Sequence, residues 1–469
     1  MNSLSLWERV RVRAARLSTN PRLRATAYKA FGPEGIKRIR AELQNQDRIA
    51  KRLAEKVILA YSGGLDTSVI IRWLIERRGC EVITLTADLG NQPRLEEIRD
   101  RALRIGAIKA RVVDARSLFV EHFVWLALKA NAVYEGVYPL ATALGRPLIA
   151  KLLVDAAREE GATTVAHGCT GKGNDQVRFD VSTAALAPDL KVVAPVREWE
   201  LRTRDDEIAY AQQHNISVFA TKESPYSTDE NLWGRSIEAG VLEDPWAEPP
   251  EDVYLWTKPV HAAPAEPAYL EIEFERGLPV VLDGERLDGV EIIDRVNRLA
   301  GHHGVGRIDH LENRLVGIKS REIYEAPAAT VLIQAHRALE AMTLSREQLR
   351  TKERIGQEYA DLIYNGLWFT AHHQDLASYV ASTQRHVSGT VRMKLHRGAA
   401  TAVGRKSPAS LYDYALASYG EEDRFDRDAA VGFIQIWGLP VRVQARTQLL
   451  VQPEGPLAIA DSRQRAVGS

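Results

Sequence analysis

Residues 56–78 read KVILAYSGGLDTSVIIRWLIERR. The stretch opens on a β-branched and apolar run, Val57, Ile58 and Leu59. It passes through a glycine elbow at Ser62, Gly63 and Gly64, then shifts to helical spacing that puts Val69, Ile70, Trp73 and Leu74 on one face. A strand, a tight loop and a helix N-terminus in that order favour anions. The glycines allow positive φ, so backbone N–H groups can converge, and the helix adds unsatisfied donors and the positive end of its dipole. Ser62, Thr67 and Ser68 add hydroxyls, and Asp66 adds a carboxylate suited to a Mg²⁺ ion on phosphate. A bare SGG is common in ordinary strand-to-helix turns; the full SGGLDTS between a clean strand and a clean amphipathic helix is a phosphate loop.

Working outward, Glu81 to Asp88 predicts a second strand whose end, Thr86 and Ala87, lies beside the loop. Arg94 to Ile105 predicts a helix, Ala110 to Asp114 a strand, and Ser117 to Ala132 and Leu148 to Glu160 two further helices. Thr163 to His167 and Lys191 to Pro195 complete the strands, and Asp205 to His214 is a helix. Strands alternating with helices predict a parallel sheet covered on both faces, with ligands at the carboxyl ends of the strands. From Thr221 to Pro267 seven prolines interrupt the pattern, which marks a crossing into a second domain. There, Tyr269 to Phe274 and Pro279 to Leu282 predict strands around an Asp283-Gly284 turn, with further strands at Val387 to Leu395 and Ala400 to Val403. Helices are expected at Val290 to Leu299, Ala328 to Met342 and Ser345 to Ile363, giving an α+β domain, and Asp428 to Gly438 predicts a short late helix.

Composition narrows the function classes. Lys plus Arg equals Asp plus Glu at 62 each, so no global basic field calls for nucleic acid. No apolar run approaches the roughly 18 residues of a membrane span. Two cysteines, Cys80 and Cys169, exclude a disulfide framework and a cysteine zinc site, and the pairs His302-His303 and His372-His373 lack metal-ligand spacing, so no zinc is expected. Residues 1–56 carry 14 Lys or Arg against 5 Asp or Glu. This basic arm reads as a targeting segment, a partner-binding arm or an upstream extension without a role, and it stays outside the fold argument.

A second informative stretch, HGCTGKGNDQVRF at 167–179, follows the fourth strand. It is not a Walker A loop, because Gly173 rather than Ser or Thr follows Lys172. Lys172, Asn174, Asp175 and Arg178 supply both signs of charge within seven residues. That set suits an amino-acid-like ligand, since Asp holds an ammonium and Arg a carboxylate.

These stretches, with SPYSTDENLWGRSIEAGVLEDPW (224–246), HGVGRIDHLENRLVGIKSREIYE (303–325) and VGRKSPASLY (403–412), resemble the argininosuccinate synthase family of the ATP pyrophosphatases. The resemblance runs from Lys56 to about Arg446. It implies an α/β fold with a parallel-sheet ATP-binding domain over 56–220, an α+β synthetase domain over 221–427, and a C-terminal oligomerisation helix and tail over 428–469, behind the 1–55 extension. It implies a cytoplasmic ligase, typically a homotetramer, that uses ATP and Mg²⁺ to join L-citrulline and L-aspartate through citrullyl-adenylate. No covalent enzyme nucleophile is required, and no Ser-His-Asp, Cys-His or HExxH arrangement is evident in the sequence. Carried over by motif, Ala60, Tyr61, Ser62, Gly63, Gly64, Leu65, Asp66, Thr67, Ser68, Thr86, Ala87 and Gly168 bind ATP. Thr170, Asn174 and Asp175 bind aspartate. Tyr138, Asn174, Arg178, Ser227, Ser236, Glu312 and Tyr324 bind citrulline, and Asp66, Lys172 and Asp175 carry the chemistry.

The chain departs from the family at Ala141-Thr142-Ala143, where GTS is common. A citrulline-contacting hydroxyl is therefore expected to be missing at Ala143, at about 1 kcal/mol, and Ala143→Ser is expected to lower the KM for citrulline. Gly145 also replaces the usual alanine before Arg146-Pro147. Two other readings compete. An amidotransferase or tRNA-modifying pyrophosphatase lacks support, because there is neither a glutaminase-type cysteine nor a cysteine pair for sulfur transfer. A nucleotide- or RNA-binding protein on a retired core does not explain why Asp66, Lys172, Asp175 and Arg178 keep their mixed charges.

Overall fold

The computed structural model describes residues 55–90, 94–216 and 226–449. The basic arm, and the tail from 450 onward, lie outside the described residues.

Strands β1 (Lys56–Ala60), β2 (Glu81–Asp88), β3 (Lys109–Asp114), β4 (Thr164–Ala166) and β5 (Lys191–Val193) form one parallel sheet in the order β3-β2-β1-β4-β5. Central β1 pairs Ile58 with Ile83 on one side and with Val165 on the other. The strand order reverses at the β1–β4 boundary, so a crevice opens at their carboxyl ends. Along β1 the side chains alternate between two cores. Val57 and Leu59 join Val69, Ile70 and Trp73 of α1 (Leu65–Trp73) and Ala102 and Ile105 of α2 (Leu95–Ile105). Ile58 faces the other core, with Leu144, Leu148 and Leu153 of α3 (Ala141–Glu160) and Phe179 of α4 (Asp175–Leu186). Both faces are thus apolar, which is why β1 reads as a continuous run. Helix α5 (Arg204–Gln213) packs on the α1 side.

Two antiparallel sheets follow. One takes β6 (Ser227–Asn231), β7 (Gly234–Glu238), β11 (Arg307–Asn313) and β12 (Lys319–Glu325) in the order β11-β12-β7-β6. The other takes β8 (Ala268–Glu275), β9 (Leu278–Leu282), β10 (Glu285–Arg286), β13 (Gly389–His396) and β14 (Ala399–Lys406) in the order β10-β9-β8-β13-β14. Helices α6 (Gly289–His302), α7 (Pro327–Thr343), α8 (Arg346–Tyr364) and α9 (Ala371–Thr383) accompany them. Leu270, Ile272, Val391 and Met393 extend the same core that holds Ile58.

Ser410 begins a separate compact unit. Its helix α10 (Arg427–Trp437) is N-capped by Asp426, which accepts from the amides of Asp428 and Ala429. Phe433, Ile434, Ile436 and Trp437 on it are exposed.

Several elements differ from expectation. Helix α3 begins at Ala141, two turns before Leu148, and runs through Pro147. Proline forfeits one ladder bond, a loss offset by burial of Ala141, Ala143 and Leu144. Gly145 has a role there: a Cβ on it would come within 2.9 Å of Leu89. Strands β6, β7, β11 and β12 and helix α9 were not expected from periodicity. In β11 and β12 the usual pattern is inverted: His310, Glu312, Glu322 and Tyr324 are buried while Leu311 is exposed, because the inner face of this sheet meets a polar cavity.

Candidate active site

The β1 loop and the β4 loop flank the crevice. A Cβ on Gly168 would stand 3.0 Å from Thr67 Cγ2, so the two loops touch and the glycine is what permits it. In the β1 loop Gly63 has φ +79°, Ser62 Oγ lies 3.2 Å from Thr67 Oγ1, and Gly64 starts the helix with no side-chain cap. Its first-turn donors are therefore free for an anion. Asp66 shares a hydrogen bond with Glu207 of α5, whose carboxyl is pushed up to about 8 by burial, by that bond and by the Asp66 charge. Thr86 Oγ1 donates to the Tyr61 carbonyl at 2.8 Å. That hydroxyl is committed to holding the loop.

The β4 loop is fixed from behind. His167 Nδ1 accepts the Cys169 N–H at 3.2 Å, which sets the tautomer, and Nε2 then donates to Asp180 Oδ1 at 2.7 Å. Burial alone would raise the Asp180 carboxyl, but His167 and Arg197 outweigh it and hold it low. Gln176 Nε2 donates to the Gly171 carbonyl at 2.7 Å, closing the loop on α4.

The charged end of the cavity is a chain of ion pairs. Arg146 of α3 donates from Nε to Asp175 Oδ2 at 2.9 Å and reaches Asp229 of β6 through Nη2. Asp175 Oδ1 takes Arg178 Nη1 at 2.7 Å, and Arg178 Nε donates to the Tyr364 carbonyl at 2.9 Å. Burial works to raise the Asp175 carboxyl, yet Arg146 and Arg178 overcome it and hold it below the ordinary range. Asp229 goes the other way, raised by burial and by the Asp175 charge despite Arg146. Two carboxylates shifted in opposite directions thus share one guanidinium.

Farther in, Glu312 accepts from Tyr324 at 2.6 Å and from Tyr364 at 2.7 Å, and Tyr364 Oη also accepts from Asn174 Nδ2 at 2.7 Å. Tyr324 stacks on Tyr138 with centroids 4.2 Å apart, and Tyr134 on Tyr364 at 3.6 Å. Arg314 bridges Glu238 and Glu322. Burial and the charges of Glu238 and Glu312 push Glu322 up to about 9 against the pull of Arg314.

Of the residues singled out from sequence, all but two line one cavity of about 660 Å³. Ser68 is buried beneath it with its hydroxyl 3.1 Å from Tyr61 Oη, and Lys172 is exposed outside the lining. Ala143 is fully buried and absent from the lining, whereas Thr142 lines the cavity, its hydroxyl 3.5 Å from Ser236 Oγ. Arg146, which lines the cavity, is not among the residues the sequence points to, although it stands in the Arg146-Pro147 pair. Nor are Asp229, Glu238, Arg314, Glu322 and Tyr364, of which only Tyr364, inside α8, falls outside the quoted motif stretches.

A phosphate loop at the switch point of a parallel sheet, opening directly onto a cavity lined by both signs of charge, defines an enzyme that activates an amino-acid-sized substrate with a nucleotide. Residues 56–217 match the Arginosuccinate synthase N-terminal HUP domain, and residues 226–444 match the Arginosuccinate synthase C-terminal domain. The chain is similar to the argininosuccinate synthase of Dehalococcoides mccartyi, 58% identical over 402 residues that cover 86% of this chain and 99% of the relative. It is also similar to that of Rubrobacter xylanophilus, 60% identical over 388 residues, 83% and 94% of the two chains. The protein from Chlorobaculum tepidum is 56% identical over 389 residues, 83% and 97%. The chain belongs to the argininosuccinate synthase family and is a carbon–nitrogen ligase of arginine biosynthesis that uses ATP.

Proposed function

We propose that the enzyme joins L-citrulline to L-aspartate in two steps within this one cavity. The ureido oxygen of citrulline attacks the α-phosphorus of ATP; the bond to the bridging oxygen breaks and its electron pair leaves with pyrophosphate. The aspartate amine then attacks the ureido carbon of citrullyl-adenylate and displaces AMP. The observation that carries this reading is the direct opening of the β1 phosphate loop onto the Asp175–Arg178–Glu312 end of the cavity.

Residue roles follow from the local chemistry. The Ala60 to Thr67 loop receives the phosphates, with Thr86 and Ala87 toward the base. Arg178 faces a carboxylate, while Glu312, Ser227, Ser236, Tyr138 and Tyr324 take the polar atoms of citrulline. Thr170 and Asn174 take aspartate. Asp175, held ionised by two guanidiniums, is a poor proton acceptor, so it orients rather than moves protons. Ser68 acts through Tyr61, and Lys172 has no step assigned. Catalysis is then positioning and charge stabilisation.

Mg²⁺ fits the Asp66 carboxylate, a hard oxygen donor beside the loop, and Glu207 would join it on giving up its proton. When bound it would neutralise phosphate charge. The 56–220, 221–427 and 428–469 divisions belong to the same reading, with α10 serving assembly into a homotetramer. Support for assembly comes from its exposed Phe433, Ile434, Ile436 and Trp437, an apolar set that a monomer leaves in water. No helix among the described residues is long and apolar enough to cross a membrane, and a cytoplasmic location without nucleic-acid partners is proposed.

The test is pyrophosphate release that requires ATP, citrulline and aspartate together. Release that ignores either amino acid contradicts the reading.

A further inference from the structure

Helix α2 touches the phosphate loop at two points. A Cβ on Gly63 would come within 2.9 Å of Ile98, so that side chain fills the space beneath the loop. Three residues on, Arg101 donates from Nη1 to the Gly63 carbonyl at 2.7 Å, and Arg101 is only 4% exposed. On the strand side, Thr86 makes the matching bond to the Tyr61 carbonyl. The described peptides contain no cis bond, so within each peptide unit the carbonyl and the following N–H point opposite ways. Anchoring the carbonyls of Tyr61 and Gly63 toward the protein therefore turns the amides of Ser62 and Gly64 toward the cavity. Among the described residues the Gly64 amide has only the exposed Ser62 hydroxyl as acceptor, at 3.3 Å, a long bond that a phosphate oxygen readily replaces. Gly63, at φ +79°, lets these amides converge into an anion nest.

We propose that Arg101 is a positioning residue for the adenylation step. It aims the Gly64 amide at the phosphates of ATP, and its buried charge beneath the loop steadies the pyrophosphate that departs with the electron pair of the broken P–O bond. This rests on the ligase reading above. Lysine in its place keeps the charge but offers a single ammonium in place of the planar fork.

The test uses the full chain with Arg101→Gln, Arg101→Lys and the packing control Ile98→Ala. Arg101→Gln is expected to raise the KM for ATP and weaken product inhibition by pyrophosphate by about tenfold each, with both amino-acid KM values unchanged within about twofold. Arg101→Lys is expected to recover part of both, and Ile98→Ala to move neither by as much. An unchanged ATP KM, or an equal rise in all three KM values, overturns the proposal. Should Arg101→Gln not fold, Arg101→Lys carries the same test, since it too is expected to raise the ATP KM selectively. Calorimetric binding of ATP reads the idea without turnover. A wild type that releases no pyrophosphate counts against the ligase reading, whereas an unchanged ATP Kd in the variant counts against Arg101.

Discussion

The Arg146 guanidinium binds two carboxylates of opposite tendency, Asp175 on α4 and Asp229 on β6, so one side chain ties the parallel-sheet region to the antiparallel sheet across the cavity. Arg146→Lys keeps the charge and loses the fork. Leaving Asp175 with one guanidinium is expected to cost about 1–3 kcal/mol in the aspartate step, or about ten- to hundredfold in kcat/KM for aspartate. Steady-state kinetics with aspartate varied would reveal it; equal losses for ATP would point instead to a general disturbance of the fold.

Tyr364 serves three partners: its hydroxyl donates to Glu312 and accepts from Asn174, and its carbonyl holds Arg178. Tyr364→Phe removes only the hydroxyl. Two buried polar groups then lose a partner, at about 1–3 kcal/mol. The expected result is a higher KM for citrulline and aspartate with an unchanged KM for ATP.

Much of this was legible in sequence, and the limits have physical causes. The β1 loop could be read because it joins a fully apolar strand to an amphipathic helix, two strong and opposite periodicities. The β11–β12 and β6–β7 pairs could not, since their buried face carries Glu312, Glu322 and Ser236 and hides the apolar alternation on which strand reading depends. Tyr364 was invisible because a tyrosine near the end of an amphipathic helix looks like core until Glu312, 52 positions away, is brought to it. Pro147 lies at the other limit: the periodicity starts the helix after it, at Leu148, whereas packing carries the helix back to Ala141.

The Ala143 departure also changes meaning. With Ala143 wholly buried and Thr142 at the cavity wall, Ala143→Ser has no direct route to the substrate. Its citrulline KM is expected to stay within about twofold of wild type, while Thr142→Val raises it by the worth of one hydrogen bond, about 1 kcal/mol. A marked fall in the KM of Ala143→Ser would restore the expectation drawn from sequence.

Glu207 gives a pH signature. Its folded-state value near 8 lies above the ordinary 4.5 of a free glutamic acid, so the folded chain holds an extra proton between those limits. Stability from this group is therefore full at low pH and declines as pH rises through that window. Thermal melts of wild type and Glu207→Gln across the window should converge on a flatter profile for the variant; parallel profiles would show that the Asp66–Glu207 pair does not share a proton.

The mechanism turns on attack by the ureido oxygen of citrulline on the α-phosphorus. Citrulline carrying heavy oxygen at the ureido position, turned over with ATP and aspartate, tests it most directly by mass spectrometry of the products. The account predicts that the label appears in the phosphate of AMP, because that oxygen leaves with AMP when aspartate attacks. Label retained in argininosuccinate or released to water, with unlabelled AMP, would contradict it.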